Sequence, residues 1–596
     1  MILLLVIQII VTCAVVSFTN VHSLTISTPQ VRCETGCQSR VYCTGDLLND
    51  VQVLQVYANS KEFVDMKLLS PEDTIVSAYR QFKASNTKPT KEELKSFLDR
   101  YFAPDPLEKC QLQDYNENAA FLQSIADENY KNWILNVMKI WKELAGKIPA
   151  DVQLNPQNHS YLFVPKCFIK AGGFFTEMYY WDSYWIIQGL LLCDMSHTAR
   201  GILENFFHLV RTLGYVPNGN RKYYIGRSQP PLLTRMVDYY LSMTNDQQFV
   251  LENLELLEIE FAWWQKNRMI DVTAKNGKTY KMARYACEIC QPRPEGYLTD
   301  YKLAQQLDDG PDRQKLLVSL RSSAESGWDF SSKQMKPGYR RTDDPFSMLN
   351  LDTQNIVMVD LNAMLHFNVA KLAQWYECLN NPQKSSYYKQ IADDLFEAIQ
   401  EVLWNEEDGV WYDWDLVSSS QRKNFYPSNL TPLWTKSFKK CQVQAERILK
   451  YLANEKIISD TYQPLYYGIP TSKCNTTQQW DFVNEWAPLQ AIMIEGLLNL
   501  EDPKTDTLAF AWSSLWLKTN YEGFKKTGNM YEKYSAIIRG ESGNGGEYLA
   551  QIGFGWSNGF AINLMHKYGK IVASDNYDDF IPAPAPRECS LLNSSS

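Results

Sequence analysis

Residues 133–148 read Trp133-Ile134-Leu135-Asn136-Val137-Met138-Lys139-Ile140-Trp141-Lys142-Glu143-Leu144-Ala145-Gly146-Lys147-Ile148. The apolar members Trp133, Ile134, Val137, Met138, Trp141, Leu144 and Ile148 recur at steps of three and four, which gathers them on one face of a helix. Leu361, Leu365, Val369, Leu372 and Tyr376 repeat the pattern, and Asn380-Asn381-Pro382 predicts its stop. A third such run spans Ile391 to Leu403, whereas strand-like alternation is scarce. The expectation is an all-α protein. No low-complexity linker or internal repeat divides residues 40 to 575, which predicts a single large domain.

The 596 residues are 45% hydrophobic and 21% charged, enough apolar content for a full core. A formal charge of −9 with no run of lysine or arginine excludes a nucleic-acid surface. Residues 1–23 read as a signal peptide: an apolar core from Leu3 to Phe18, then Val21-His22-Ser23 as a small-residue exit. The run is short for a bilayer span, so no stable membrane span is expected and the chain is read as soluble and secreted. Residues 576–596 form a polar tail rich in proline and serine. Twelve of the thirteen cysteines follow the leader, and in an oxidising compartment some of them pair. Cys33, Cys37 and Cys43 cluster near the mature start. Cys287 and Cys290 form a lone CxxC with no second pair, which argues against zinc. Sequons at Asn158, Asn429, Asn475 and Asn593 are expected to carry N-glycans.

Aromatic residues make up 13% of the chain, and several stand beside carboxylates in glycine-marked segments: Tyr180-Trp181-Asp182, Gly327-Trp328-Asp329-Phe330, Gln479-Trp480-Asp481 and Gly545-Gly546-Glu547-Tyr548. A sugar ring offers apolar faces and a rim of hydroxyls, so aromatic platforms edged by carboxylates, amides and arginines suit it. Other chemistries lack their residues. No HExxH spacing, GxSxG elbow or phosphate loop occurs. Carboxylate chemistry on a neutral polyhydroxyl substrate remains, and glycoside hydrolysis is its usual form, without metal or cofactor.

Gly172-Gly173-Phe174-Phe175-Thr176-Glu177-Met178-Tyr179-Tyr180-Trp181-Asp182-Ser183-Tyr184 resembles the first signature of the trehalase family, PGGRFxExYxWDxY. Gln479-Trp480-Asp481-Phe482-Val483-Asn484-Glu485-Trp486-Ala487-Pro488 resembles the second, QWDxPxxWxP. Further family-like blocks lie at Ser60–Met66, Pro217–Pro231, Arg293-Pro294-Glu295, Glu325–Ser332 and Gly545–Trp556, so the resemblance spans residues 43 to 570 in family order. It implies an (α/α)6 barrel over residues 24–575 that hydrolyses α,α-trehalose to two glucoses with inversion. It also implies Asp329 as general acid and Glu532, within Met530-Tyr531-Glu532-Lys533-Tyr534, as general base. Substrate contacts carry over to Trp181, Asp182, Asn218, Arg227, Ser228, Gln229, Arg293, Pro294, Glu295, Gly327 and Glu547. Arginines there can bind sugar hydroxyls and hold the water-activating carboxylate ionised. The alternative for Arg227 and Arg293 is a salt bridge at the barrel rim.

The chain also departs from the family pattern. Phe174 stands for the arginine of PGGRF and Ala171 for its proline. Val483 replaces a proline, Glu485 a small residue, and Asn544 interrupts the glycine run. Asn59 and Glu62 depart from DSKTFVDM. A phenylalanine donates no hydrogen bond, so one of three expected guanidinium groups is absent. These departures leave an alternative open, a trehalase-like paralogue that binds a sugar without turning it over.

Overall fold

Twelve helices alternate along the chain between an outer and an inner ring in the computed structural model, which describes residues 33–34, 36–336, 344–440, 443–575, 580–584 and 586. They are α1 (Glu128–Leu144), α2 (Asp182–Leu192), α3 (Ser196–Leu213), α4 (Leu233–Thr244), α5 (Gln247–Arg268), α6 (Val359–Cys378), α7 (Pro382–Ala398), α8 (Thr431–Trp434), α9 (Ala445–Asn454), α10 (Ala487–Leu498), α11 (Pro503–Thr527) and α12 (Gly555–Tyr568). The even-numbered helices touch in a closed circuit, α2–α4–α6–α8–α10–α12 and back to α2, and the odd-numbered helices pack outside it. This is an all-α, (α/α)6-barrel fold. Strands are only two to five residues long and form sheets of two or three.

The two rings follow from the distribution of apolar residues. Every residue of α2 is buried, as a helix with no polar face must be. The outer helix α1 instead buries one face, Tyr130, Trp133, Ile134, Val137, Met138, Ile140, Trp141 and Leu144. Where α2 meets α12, glycine permits close approach. A Cβ on Gly559 would lie 2.0 Å from the Trp185 carbonyl oxygen, and one on Gly189 would lie 2.7 Å from the Gly559 Cα.

Helix ends match the roles of the rings. Outer helices α1, α5, α7 and α11 begin on Asp127, Asp246, Asn381 and Asp502, whose side chains accept a backbone N–H of the first turn. None of the six inner helices has a side-chain cap at that position. Their electropositive N-terminal ends therefore stay available to groups in the preceding loops.

Some expectations need correction. The first periodic run ends as helix at Leu144. Ala145–Lys147 then turns into a short strand that pairs with Phe168–Ile169 and Glu108–Lys109. Pro382 does not simply end α6. It begins α7 behind the Asn381 cap, a first-turn position where its missing N–H costs nothing. Of the 576–596 tail, described residues fold back, with Ala583 N–H donating to Leu465 O at 2.7 Å and the Phe580 ring 5.3 Å from Tyr467. The signal-peptide residues and Asn593 lie outside the described residues. Cys290 is bonded to Cys33, which separates it from the free, buried Cys287 of the CxxC. Cys37–Cys43 and Cys110–Cys167 are also bridged. Among the described residues no helix is long and apolar enough to cross a membrane.

The sequon at Asn429 does not suit a glycan. Asn429 is 1% exposed, and its amide nitrogen donates to Asn424 O at 2.7 Å and Tyr451 Oη at 3.2 Å. Asn475 is exposed and Asn158 half-buried. Asn429→Ala is expected to lower unfolding free energy by about 1–3 kcal/mol, measured by denaturant titration, because two buried partners lose their donor. Peptide mapping of the protein expressed in a glycosylating host should find Asn429 bare.

Candidate active site

Loops preceding the inner helices bring the distant sequence pieces together. Asp182 opens α2, Asn218–Gln229 lead into α4, Gln479–Trp486 into α10, and the segment holding Glu532 and Glu547 into α12. Asp329 follows the helix Pro311–Glu325, which the chain inserts between α5 and α6. These segments line one cavity of about 270 Å³, whose walls include Trp181, Asp182, Asn218, Arg227, Gln229, Arg293, Glu295, Gly327, Asp329, Glu532 and Glu547.

Two predicted contacts stand behind the wall. Ser228 donates its hydroxyl to Val216 O at 2.6 Å and its N–H to Glu325 at 3.0 Å. Pro294 begins the single turn Pro294–Gly296 that presents Glu295. Gly327 has φ +78°, and a Cβ there would meet the Trp181 indole at 2.9 Å, so both conformation and space require glycine.

The floor is aromatic. Trp480 lies 3.9 Å from Trp486 with rings 3° from parallel, Trp328 stacks on Trp480 at 5.3 Å, and Trp181 leans on Trp480 at 5.7 Å. Asp481, beside Trp480 in the sequence, faces away from the cleft. It accepts from Ser331, Ser332, Ser472 and Thr476 and so staples the loop that carries Asp329 to the 472–481 loop.

Burial in this apolar setting controls the carboxyls. It pushes Asp329 up to about 7, with Glu547 adding to the rise while Arg293 and Arg227 oppose it. It pushes Asp182 up to about 8, and Glu532 and Asp329 add to that rise. Glu532 is also raised by burial, against the Lys533 cation, the Gln551 N–H donating at 3.1 Å and the Tyr548 hydroxyl donating at 2.8 Å.

Arg227 and Arg293 show features of both roles that the sequence leaves open. Arg293 forks onto Asp300 and reaches Glu547 at 2.9 Å, and Arg227 bonds Glu295 at 2.6 Å and Asn218 at 2.9 Å. They line the cavity and form ion pairs at once. Arg227 Nη1 and Glu295 Oε2 are buried with no partner among the described residues, a donor and an acceptor suited to sugar hydroxyls. The cation beside Glu532 is Lys533, which adjoins it in the sequence but belongs to no motif that points to a sugar contact. Tyr548 and Gln479 lie within the motifs and also reach the site, Tyr548 on Glu532 and Gln479 on the Asp329 backbone. Phe174 lines the cavity in an aromatic group, 4.4 Å from Phe175 and edge-on to Tyr548 at 5.5 Å. Glu485 is outside the cleft, fully buried, with neither carboxyl oxygen partnered among the described residues, and burial holds its pKa well above the usual value.

A helical barrel whose inner ends hold several buried carboxyls over an aromatic floor defines a carbohydrate-active hydrolase of the glycosidase class. The trehalase family model matches residues 55–569. The chain is 40% identical over 580 residues to the trehalase of Pimpla hypochondriaca, covering 96% of this chain and 97% of that one. It is 41% identical over 541 residues to human trehalase, covering 90% and 91%. The neutral trehalase of Saccharomyces cerevisiae superposes with TM-score 0.53 at 20% identity, over 68% of this chain and 74% of that one. This chain belongs to the trehalase family.

Because burial raises Asp329 from an unfolded value near 3.8 to about 7, its protonated form stabilises the fold fully below pH about 4, and that contribution is lost as pH rises through 7. Asparagine does not titrate. Asp329→Asn is therefore expected to gain stability over the parent between pH 4 and 8, by up to about 4 kcal/mol. Calorimetric melts of both proteins at pH 4.5 and 8 check this, and a constant gap would contradict it.

Proposed function

We propose that this protein hydrolyses α,α-trehalose to two glucoses with inversion, with Asp329 as general acid and Glu532 as general base. The observation that carries the reading is that both carboxyls line one cavity, with Asp329 held protonated near neutrality by burial. Asp329 gives its proton to the glycosidic oxygen as the bond from that oxygen to the anomeric carbon breaks. Glu532 takes a proton from water as the water oxygen attacks the same carbon from the opposite face. Hydrogen bonds from Tyr548 and Gln551 favour the ionised form of Glu532 that this step needs. The carboxyls of a substrate-bound complex are expected to lie roughly 6.5–9.5 Å apart. Trp181 and Trp480 offer ring faces, and Arg227, Arg293, Asn218, Gln229, Asp182, Glu295 and Glu547 offer polar edges. No step requires a metal or cofactor. The disulfides and the accessible sequons Asn158 and Asn475 support a secreted, glycosylated protein read from residues 1–23.

Asp329→Asn is expected to abolish glucose release while trehalose still binds by calorimetry, since the amide keeps the shape and has no transferable proton. Turnover comparable to the parent would remove Asp329 from the role. Phe174 favours a second reading, a sugar-binding paralogue with little turnover, because an apolar ring stands where a donor is expected. If that donor is what the site lacks, Phe174→Arg raises kcat/KM for trehalose at least about tenfold, roughly 1.4 kcal/mol. A well-folded variant with unchanged or lower activity would show that the aromatic group of Phe174, Phe175 and Tyr548 is itself the working arrangement.

A further inference from the structure

Lys533 is 0% exposed, and among the described residues no carboxylate lies within ion-pair distance of its ammonium. A buried cation without an anion is costly, and here it is compensated by two oxygens and by the ring faces of Trp486 and Tyr548, at 5.2 and 5.8 Å. Its nitrogen donates to Gln479 Oε1 at 2.8 Å and to Gly545 O at 3.1 Å. The same Gln479 donates from Nε2 to the backbone oxygen of Asp329 at 2.6 Å. The chain of contacts therefore runs from the residue after Glu532, through one buried amide, to the backbone of Asp329. Lys533 also lies in Lys533–Ser535, paired with Asn484–Trp486 so that Lys533 faces Trp486 across the ladder, which fixes where its long side chain starts.

We propose that Lys533, acting through Gln479, is a positioning residue that sets the spacing of the two reacting carboxyls and keeps Glu532 ionised. The proposal rests on the reading of Asp329 and Glu532 as acid and base. The charged and titratable groups around this pair are few. Lys533 opens the strand Lys533–Ser535 and Glu532 immediately precedes it, Tyr548 and Glu547 come from the 545–551 loop, Asp182 from the first turn of α2, and Asp329 and Arg293 from the segments around Pro311–Glu325 and Pro294–Gly296. Among the described residues Arg227 and Arg293 are engaged by Glu295, Asp300 and Glu547, whereas Lys533 is the cation whose charge acts on Glu532. Burial lowers its own pKa to about 8, against the opposing pull of Glu532 and Asp329.

The test compares Lys533→Met, Lys533→Arg and Gln479→Leu with the parent. In Lys533→Met the trehalose kcat should fall at least about tenfold with KM within about threefold, since spacing rather than ground-state binding is lost. The acidic limb of kcat/KM should move to higher pH by at least about half a unit, because Glu532 loses the charge that favours its ionised form. Lys533→Arg should restore that limb without restoring kcat in full. Gln479→Leu, which retains the ammonium, should lower kcat with the limb unmoved, and it carries the test if Lys533→Met does not fold. The pH dependence of water-soluble carbodiimide labelling at Glu532, followed by mass spectrometry, reports the same shift without turnover. It therefore separates failure of this proposal from failure of the hydrolase reading. A folded Lys533→Met with an unmoved limb and unmoved labelling curve, or Gln479→Leu with parental kcat, would overturn the inference.

Discussion

Withdrawal of carboxyl groups from water is the constraint on which the cleft depends. Asp182, Asp329, Glu532 and Glu547 all have their pKa values raised primarily by burial, and each would be unstable as an isolated anion in such a setting. The protein meets this in different ways at each position. Glu547 is tied to Arg293, Glu532 receives an N–H and a phenolic hydroxyl, and Asp329 is left without a close cation of its own. The last arrangement keeps a proton on a carboxyl near neutral pH, and an acid catalyst needs that. Unequal compensation of the same desolvation thus supports the proposed acid and base.

The barrel makes that environment possible. A closed circuit of six inner helices fixes six loop positions around one axis, and residues from 181 to 556 converge although they are far apart in sequence. Outer helices α1, α5, α7 and α11 take polar side-chain caps while none of the inner helices does, so the ends nearest the acidic cleft keep their positive character. The Gly189–Gly559 crossing lets α2 and α12 approach until only backbone separates them, and these two helices begin at Asp182 and just beyond Phe554.

Much of this was legible in the residues. Periodicity at 133–148 and 361–376 gave helices α1 and α6 to within a few positions, because their apolar faces repeat at three and four. The all-buried α2 and α10 have no such alternation to read, and the barrel was legible only through family signatures. Site residues inside those signatures reach the cavity wall, with Ser228 and Pro294 one layer behind it. A lysine beside a glutamate reads as a surface charge, and only the pairing of Lys533 with Trp486 shows this one turned inward. The ion pairs of Arg227 with Glu295 and of Arg293 with Glu547 are not legible in the sequence for a related reason: the partners lie 68 and 254 positions apart, and spacing does not show that they meet. The Asn429 sequon matched a pattern that carries no information on burial.

The central claim is that Asp329 and Glu532 act from opposite faces of the anomeric carbon. Proton NMR of glucose released in the first seconds of trehalose hydrolysis, before the anomers equilibrate, tests it most directly. Inversion predicts one α and one β glucose from each trehalose, because one half keeps its configuration with the leaving oxygen and the other receives water from behind. Release of α-glucose alone, or no release by the purified protein, would contradict the account.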